Sequence, residues 1–192
     1  MAAIIHLIGY PGVGKLTVAH ALAATTPEGA ADRVVVVDNH LTGDPVLRVT
    51  ALDADGRVPQ RAWELVAEIR ERVHTAIVEL SPPGWSFVFT NVLRKGDPLL
   101  GQTDRATRGL AESLGVPYVP VVLRCDPAEQ RRRVVGADRV ERHKWTDPDG
   151  VAAYVEQWEL ATPGGPNQLE LDTTDLAPAD AARAILAHIQ AL

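Results

Sequence analysis

Gly9-Tyr10-Pro11-Gly12-Val13-Gly14-Lys15-Leu16-Thr17 decides how this chain reads. An apolar run, Ile4-Ile5-His6-Leu7-Ile8, precedes it, and an alanine-rich stretch of helical character, Val18-Ala19-His20-Ala21-Leu22-Ala23-Ala24, follows. Strand, glycine loop, lysine and helix, in that order, make the layout of a phosphate-binding loop. The glycines let successive backbone N–H groups turn toward one point. The helix N-terminus adds partial positive charge there. Lys15 adds a mobile full charge that can reach β- and γ-phosphates. The usual pattern puts Ser or Thr directly after the lysine; here that place holds Leu16, and Thr17 comes one residue late. Leu16 cannot bind Mg²⁺. Thr17 can contact a phosphate or a metal-bound water, and Mg²⁺ keeps most of its waters in such sites. A glycine-rich turn without a ligand is the competing reading.

The chain around this loop has 192 residues, with 46% hydrophobic and 23% charged side chains. That is enough for one α/β domain with its own core. No apolar run approaches ~18 residues, so no membrane span is expected. Met1-Ala2-Ala3-Ile4 carries no basic region ahead of its apolar run, and reads as the first strand rather than a signal peptide. A single cysteine, Cys125, rules out an internal disulfide framework and fits a reducing cytoplasm. The net charge of −6 argues against a general nucleic-acid binder. No Cys/His spacing points to zinc, and no Gly-x-Ser-x-Gly points to a hydrolase.

Strands are expected at residues 3–9, 33–38, 85–90, 119–124 and 169–171. Helices are expected at 15–25, from Pro59 to about Leu80, at 103–114, from Asp126 onward, from Asp147 to about Leu160, and from Pro178 to the end. Pro27-Glu28-Gly29 breaks the pattern after the first helix. Asp44-Pro45 reads as an N-cap with proline at the first helical position, and Asp55-Gly56 as a closing turn. Gly96-Asp97-Pro98 reads as the start of a loop. Pro120 is expected near the start of its strand, since proline deletes a ladder hydrogen bond. Trp63, Val66, Ile69, Val73, Ile77 and Leu80 recur at helical spacing and predict one buried face, with Trp63 in core packing and the lining of a substrate pocket as its alternative. Alternating strands and helices predict a five-stranded parallel sheet with helices on both faces. Ligands bind such sheets at the carboxyl ends of the strands. Gly9, Asp38, Asn91 and Cys125-Asp126 are therefore expected to ring one crevice.

Asp38 ends an apolar strand expected to lie beside the loop's strand. A carboxylate there can accept a proton from an attacking hydroxyl or orient it; capping and a metal-water contact are the alternatives. His40 is a substrate contact or a plain loop histidine. Thr90 and Asn91 can bond substrate or metal-bound water. Arg94 and Lys95 can hold an anionic substrate group or sit in a solvated loop. Arg131, Arg132, Arg133, Arg139, Arg142 and Lys144 form a basic cluster, with Asp138 and Glu141 interleaved. Such a segment can close over a nucleotide and offset charge on the transferring phosphoryl group; an exposed helix face is the alternative. Arg133, Arg139 and Arg142 are the expected participants. His6, inside a buried strand, is expected to be a satisfied core histidine.

By the order of its elements, nearly the whole chain resembles the small P-loop kinases: shikimate kinase, gluconate kinase, chloramphenicol phosphotransferase and the nucleoside monophosphate kinases. The stretch from Gly9 to Thr17 is similar to the adenylate kinase loop, which also places Thr one position late. Asp38 matches by position the acid that shikimate kinase and chloramphenicol phosphotransferase use on the acceptor hydroxyl. The helix from Asp126 to Arg133 resembles the start of the lid. Leu171-Asp172-Thr173-Thr174 resembles the segment that frames adenine, chiefly through backbone. Val37-Asp38-Asn39-His40, Phe89-Thr90-Asn91 and Lys144-Trp145-Thr146-Asp147-Pro148 look like bacterial proteins labelled AAA-type ATPases or shikimate kinase-like. The chain departs from shikimate kinases, which carry a triple glycine after the third strand, and from the glycine-aromatic-proline-arginine run of monophosphate kinases.

The resemblance implies one kinase domain over residues 1–192, with a lid at about 126–149. ATP and Mg²⁺ are the expected cofactors. Gly12, Val13, Gly14, Lys15, Leu16, Thr17, Arg133 and Asp172 would hold the nucleotide, with Thr17 near the metal. Lys15, Asp38, Arg133 and Arg139 would serve catalysis. Asp38, His40, Asn91, Arg94 and Arg142 would meet the acceptor, a small polar metabolite or natural product. The other readings are a nucleotide-binding switch or ATPase acting on a protein partner, and a kinase of nucleic-acid ends, which the acidic balance disfavours.

Overall fold

The computed structural model describes residues 2–27, 30–54, 57–137, 139 and 144–192. Five parallel strands form one sheet: β1 (Ile4–Ile8), β2 (Val34–Asp38), β3 (Ser86–Asn91), β4 (Tyr118–Arg124) and β5 (Leu169–Asp172). Among the described residues the helices are α1 (Lys15–Ala23), α2 (Asn39–Leu47), α3 (Gln60–Leu80), α4 (Pro98–Leu114), α5 (Pro127–Val134), α6 (Pro148–Gln157) and α7 (Pro178–Gln190). None of them is long and apolar enough to cross a membrane. The turn expected at Asp55-Gly56 and the break at Glu28-Gly29 lie outside the described residues.

The sheet order is β2-β3-β1-β4-β5. β3, not β2, lies beside β1, which corrects the expected neighbour of the loop's strand. Burial gives the reason. Every residue of β3 is buried, whereas three of the five residues of β2 are only half-buried. The fully apolar-environment strand takes the inner place and β2 becomes an edge. Asp38 thus pairs in register with Thr90 on β3, and Ile8 of β1 with Asn91.

The two faces of β1 feed separate cores. Ile5 and Leu7 pack with Val18, Leu22, Ile185 and Ile189, under α1 and α7. Ile4 packs on the other face with Phe87, Phe89, Ile77 and Leu110, under α3 and α4. His6 lies fully buried on this second side, among the polar groups of β3, β4 and α4. Pro120 is the third residue of β4, one position before pairing with β5 begins at Val121.

Three local expectations are corrected. First, α2 begins at Asn39 and not after Asp44. Asp38 caps it by accepting from the His40 N–H at 2.9 Å, and Pro45 falls inside the helix. Asp44 instead accepts from His40 Nδ1 and Arg48 Nε at 2.9 and 3.0 Å. Second, Asp97-Pro98 opens α4: Asp97 accepts from the N–H groups of Leu99 and Leu100. Gly115 closes this helix in the left-handed region at φ 65°. Third, the buried stripe of α3 is narrower than its spacing predicts. Val66 and Ile77 are buried, but Trp63 and Leu80 are exposed.

Candidate active site

Between β1 and α1 the chain makes the glycine loop. Gly12 and Gly14 sit at φ 90° and 94°, a region that costs any side chain with a Cβ. Gly9 is required for a different reason. A Cβ there would lie 2.7 Å from the Leu123 carbonyl oxygen and 2.7 Å from Val13 Cγ2. The start of the loop is therefore pressed against β4. Gln130 of α5 fixes its outer edge, donating from Nε2 to the Pro11 carbonyl at 2.6 Å. Gly14 is the N-cap of α1 and supplies no side-chain cap. The first N–H groups of α1, at Lys15, Leu16 and Thr17, thus stand together at a helix start, where partial positive charge gathers.

Lys15 folds back on this loop. Its Nζ donates to the carbonyls of Gly9 and Tyr10 at 2.6 and 2.9 Å. Burial, together with the positive charges of Lys144 and Arg139 and against the opposing pull of Asp38, lowers its pKa to about 7. A bound polyphosphate reverses that balance, since it favours the charged ammonium. Above pH 7 binding must therefore take up a proton. Calorimetry of MgATP binding in buffers of different ionisation heat is expected to show little uptake near pH 6, rising toward about one proton near pH 8.5. Uptake that stays flat over this range contradicts the lowered pKa.

A pocket of about 420 Å³ opens in front of the loop. Gly12, Gly14, Lys15, Leu16 and Thr17 form one wall. Asn39 and His40 from the start of α2, with Thr90 and Asn91 from the end of β3, form the opposite one. Arg139, Lys144 and Trp145 close over it, and Trp63 of α3 completes the rim. Arg139 Nε and Nη2 donate to the Trp145 carbonyl at 3.2 and 2.7 Å, which shapes this cover. Asp38 stands just behind the wall. One carboxylate oxygen caps α2, and the other lies 3.7 Å from Lys144 Nζ. The Thr90 hydroxyl is 3.4 Å from both Asp38 Oδ1 and Asn39 Oδ1.

A second cluster lies on the far side of the loop. Arg133 of α5 donates from Nη2 to the carbonyls of Thr173 and Thr174 at 2.7 and 2.9 Å, and from Nε to Glu129 at 2.6 Å. The Thr173 hydroxyl donates to the Val13 carbonyl at 2.8 Å. Asp172 accepts from the N–H and hydroxyl of Thr174. Arg133 therefore ties α5 to the segment after β5, and a Cβ on Gly14 would come within 3.8 Å of its Nη1.

Five parallel strands in the order 2-3-1-4-5, a glycine loop after the central one, and a helix start directly after the loop are now in place. The fold is that of the P-loop small-molecule kinases. The APS kinase of Mycobacterium tuberculosis, solved in complex with AMPPNP and APS, matches with a TM-score of 0.62 at 13% identity, covering 98% of this chain and 98% of that one. The tunicamycin resistance protein of Deinococcus radiodurans matches at 0.59 and 18% identity, over 98% and 96%. A gluconokinase of Sinorhizobium meliloti matches at 0.54 and 17% identity, over 98% and 92%. No family model matches the chain, and no curated protein matches its sequence.

The crevice joins Lys15, Leu16, Thr17, His40, Asn91 and Arg139, with Asp38 one layer behind. Val13 and Asp172 sit on the Arg133 side. Arg94 is not brought there. It pairs with Asp97, and its guanidinium carbon lies 4.7 Å from the ring centre of Trp158 and 6.0 Å from that of Tyr154. Lys95 likewise pairs with Glu159 at 2.9 Å. Cys125 and Asp126 do not line the pocket; the Asp126 N–H donates to Thr174. Arg142 lies outside the described residues, as do Asp138 and Glu141. Two residues take the second of their expected places or gain weight at the site. Lys144 faces Asp38, and Trp63 lines the pocket instead of the core. Lys144 had two sequence signals, its place in the basic cluster and in the Lys144-Trp145-Thr146-Asp147-Pro148 stretch.

Proposed function

We infer that this protein is an ATP-dependent phosphotransferase that moves the γ-phosphate to a hydroxyl of a small polar metabolite or natural product. The observation that carries this reading is one pocket shared by the glycine loop, the start of α2 and the end of β3. It has room for a second ligand beside the phosphates, within the size range of small-molecule sites. The loop N–H groups and Lys15 hold the β- and γ-phosphates. Arg133 and the segment around Asp172 flank the nucleotide on the other side. The acceptor lies between Asn91, His40 and the indoles of Trp63 and Trp145.

The residues fit Mg²⁺ as a companion of the phosphates and not as a protein-held ion. Among the described residues no cluster of three His, Cys, Asp or Glu side chains is placed for a metal. The Thr17 hydroxyl, exposed at the pocket wall, would hold the ion, directly or through water. When bound, Mg²⁺ supplies charge neutralisation at the β- and γ-oxygens. Asp38 takes or orients the proton of the attacking hydroxyl. In the resting arrangement Lys144 stands against Asp38, and the incoming triphosphate competes for the same ammonium. Arg139 and Lys144 then balance charge on the transferring group, and the Trp145 cover excludes water that would waste ATP.

The reading is tested by acceptor-dependent turnover. A metabolite set screened with the purified protein and MgATP is expected to contain compounds that speed ADP release at least about tenfold over the acceptor-free rate, given the usual gain from a positioned reactant. ADP release that no compound changes would point instead to slow hydrolysis.

A further inference from the structure

Behind the acceptor wall runs a buried chain of four polar groups. The Asn91 Oδ1 position lies 2.9 Å from His6 Nε2; His6 Nδ1 lies 2.8 Å from the Tyr118 hydroxyl; that hydroxyl donates to Asp104 Oδ1 at 2.6 Å. His6 is fully buried, Tyr118 and Asn91 nearly so. Asp104 is held at the outer end by Arg108, whose Nη2 is 3.7 Å away and whose guanidinium covers the Tyr118 ring at 4.6 Å. Asn91 alone of the four lines the pocket.

Proton counting fixes the direction of this chain. Burial, with the nearby Arg70 and Arg108, lowers the His6 imidazolium to about 4 against the raising effect of Asp104, so the ring carries one proton at neutral pH. Burial and Asp104 push the Tyr118 phenol far above its ordinary value, so it keeps its proton. That proton points to the Asp104 carboxylate. The Tyr118 oxygen can then only accept from His6, which places the ring proton on Nδ1. Nε2 is left as a bare acceptor, and its partner must donate. Of the two ends of the Asn91 amide, only the NH₂ can do so, so the two ends are exchanged and the position facing His6, placed as Oδ1, is assigned to Nδ2. The amide oxygen is thereby turned to the crevice.

We propose that Asp104, Tyr118 and His6 are positioning residues that lock Asn91 with its amide oxygen facing the pocket, so that the site takes a hydrogen-bond donor, such as a hydroxyl or amine, from its ligand at that point. The lock itself is independent of the kinase reading; only the identification of the ligand as the phosphate acceptor rests on it. A polar chain satisfied at every link is stiff, and reversing one end requires reversing all of it. The wrong ligand group, an acceptor such as a carboxylate oxygen, would meet an oxygen that cannot rotate away.

The test is ring-nitrogen NMR of the full chain labelled with ¹⁵N-histidine at neutral pH. His6 is expected as the neutral tautomer protonated on Nδ1, with a bare Nε2. Asn91→Asp, of nearly equal shape, cannot donate, and is expected to force a proton onto Nε2. Asp104→Ala lies outside the pocket and frees the Tyr118 proton to turn toward Nδ1. It is expected to bring up the Nε2-protonated tautomer, and to lower kcat/KM about tenfold for a hydroxyl compound found by the acceptor screen, with the KM for ATP unchanged. Wild-type His6 protonated on Nε2, or on both nitrogens, overturns the proposal, and needs no variant to fold. The predicted tautomer in a protein that phosphorylates nothing would leave the lock standing and remove the kinase reading.

Discussion

Lys15→Met is expected to lower phosphoryl transfer by ~10²–10³-fold, the usual loss when one charge-stabilising donor is removed from a preorganised site. The same change is not expected to destabilise the fold. In the free protein the Lys15 ammonium is half-buried, lies near Lys144 and Arg139, and has its pKa lowered to about 7. A lysine whose folded pKa lies below its unfolded value penalises the folded state fully below pH 7. The penalty is relieved as pH rises toward 10.5, because the unfolded chain then binds the extra proton. Methionine removes the penalty and keeps the bulk, at the cost of the two hydrogen bonds to Gly9 and Tyr10. Thermal unfolding of the variant near pH 6.5 should thus be at or above that of the parent, while turnover collapses. A large fall in Tm together with activity would show Lys15 to be a structural clamp on the loop.

Asp38 requires a variant that separates two jobs, because its carboxylate both caps α2 and faces the pocket cover through Lys144. Asparagine caps a helix about as well as aspartate. Asp38→Asn is therefore expected to keep the His40 hydrogen bond and most of the stability, while losing about 10²–10⁴-fold in transfer to the acceptor. Asp38→Ala adds a capping loss of about 1 kcal/mol. ATP affinity should hold in both variants, since Lys144 loses a competitor and stays available to the phosphates. Steady-state transfer, measured beside chemical unfolding, checks this. Transfer that survives Asp38→Asn but falls with Asp38→Ala would assign Asp38 to capping alone.

What the sequence made legible was mostly local. Gly12 and Gly14 announce themselves because only glycine occupies their left-handed backbone without strain. The Asp126-Pro127 and Asp147-Pro148 starts read directly, since cap and proline act within one turn. The same signature misleads at Asp44-Pro45 and is overlooked at Asp97-Pro98. Asp38, six residues upstream of Asp44, captures the α2 start first, and only the end of β2 puts it there. Strand order was not legible, because adjacency of β3 to β1 is decided by burial across the sheet and not along the chain. Arg94 sits beside the site in sequence yet turns to Asp97 and to the rings of Tyr154 and Trp158, supplied by a distant helix and its end. The role of His6 as a satisfied core histidine was expected from its strand, but its partners come from β3 and β4. Trp63 obeys helical spacing and still faces out, because α2 and α3 bury only Val46, Ala62 and Val66 between them.

The central claim is transfer of the γ-phosphate to a small hydroxyl compound, and label tracing tests it most directly. Wild type and Lys15→Met are incubated with γ-labelled MgATP and a metabolite extract, and the label is followed by mass. The expected result is label in a discrete small phosphorylated product with wild type and none with Lys15→Met. Label found in inorganic phosphate alone, at the same rate with and without the extract, would contradict it.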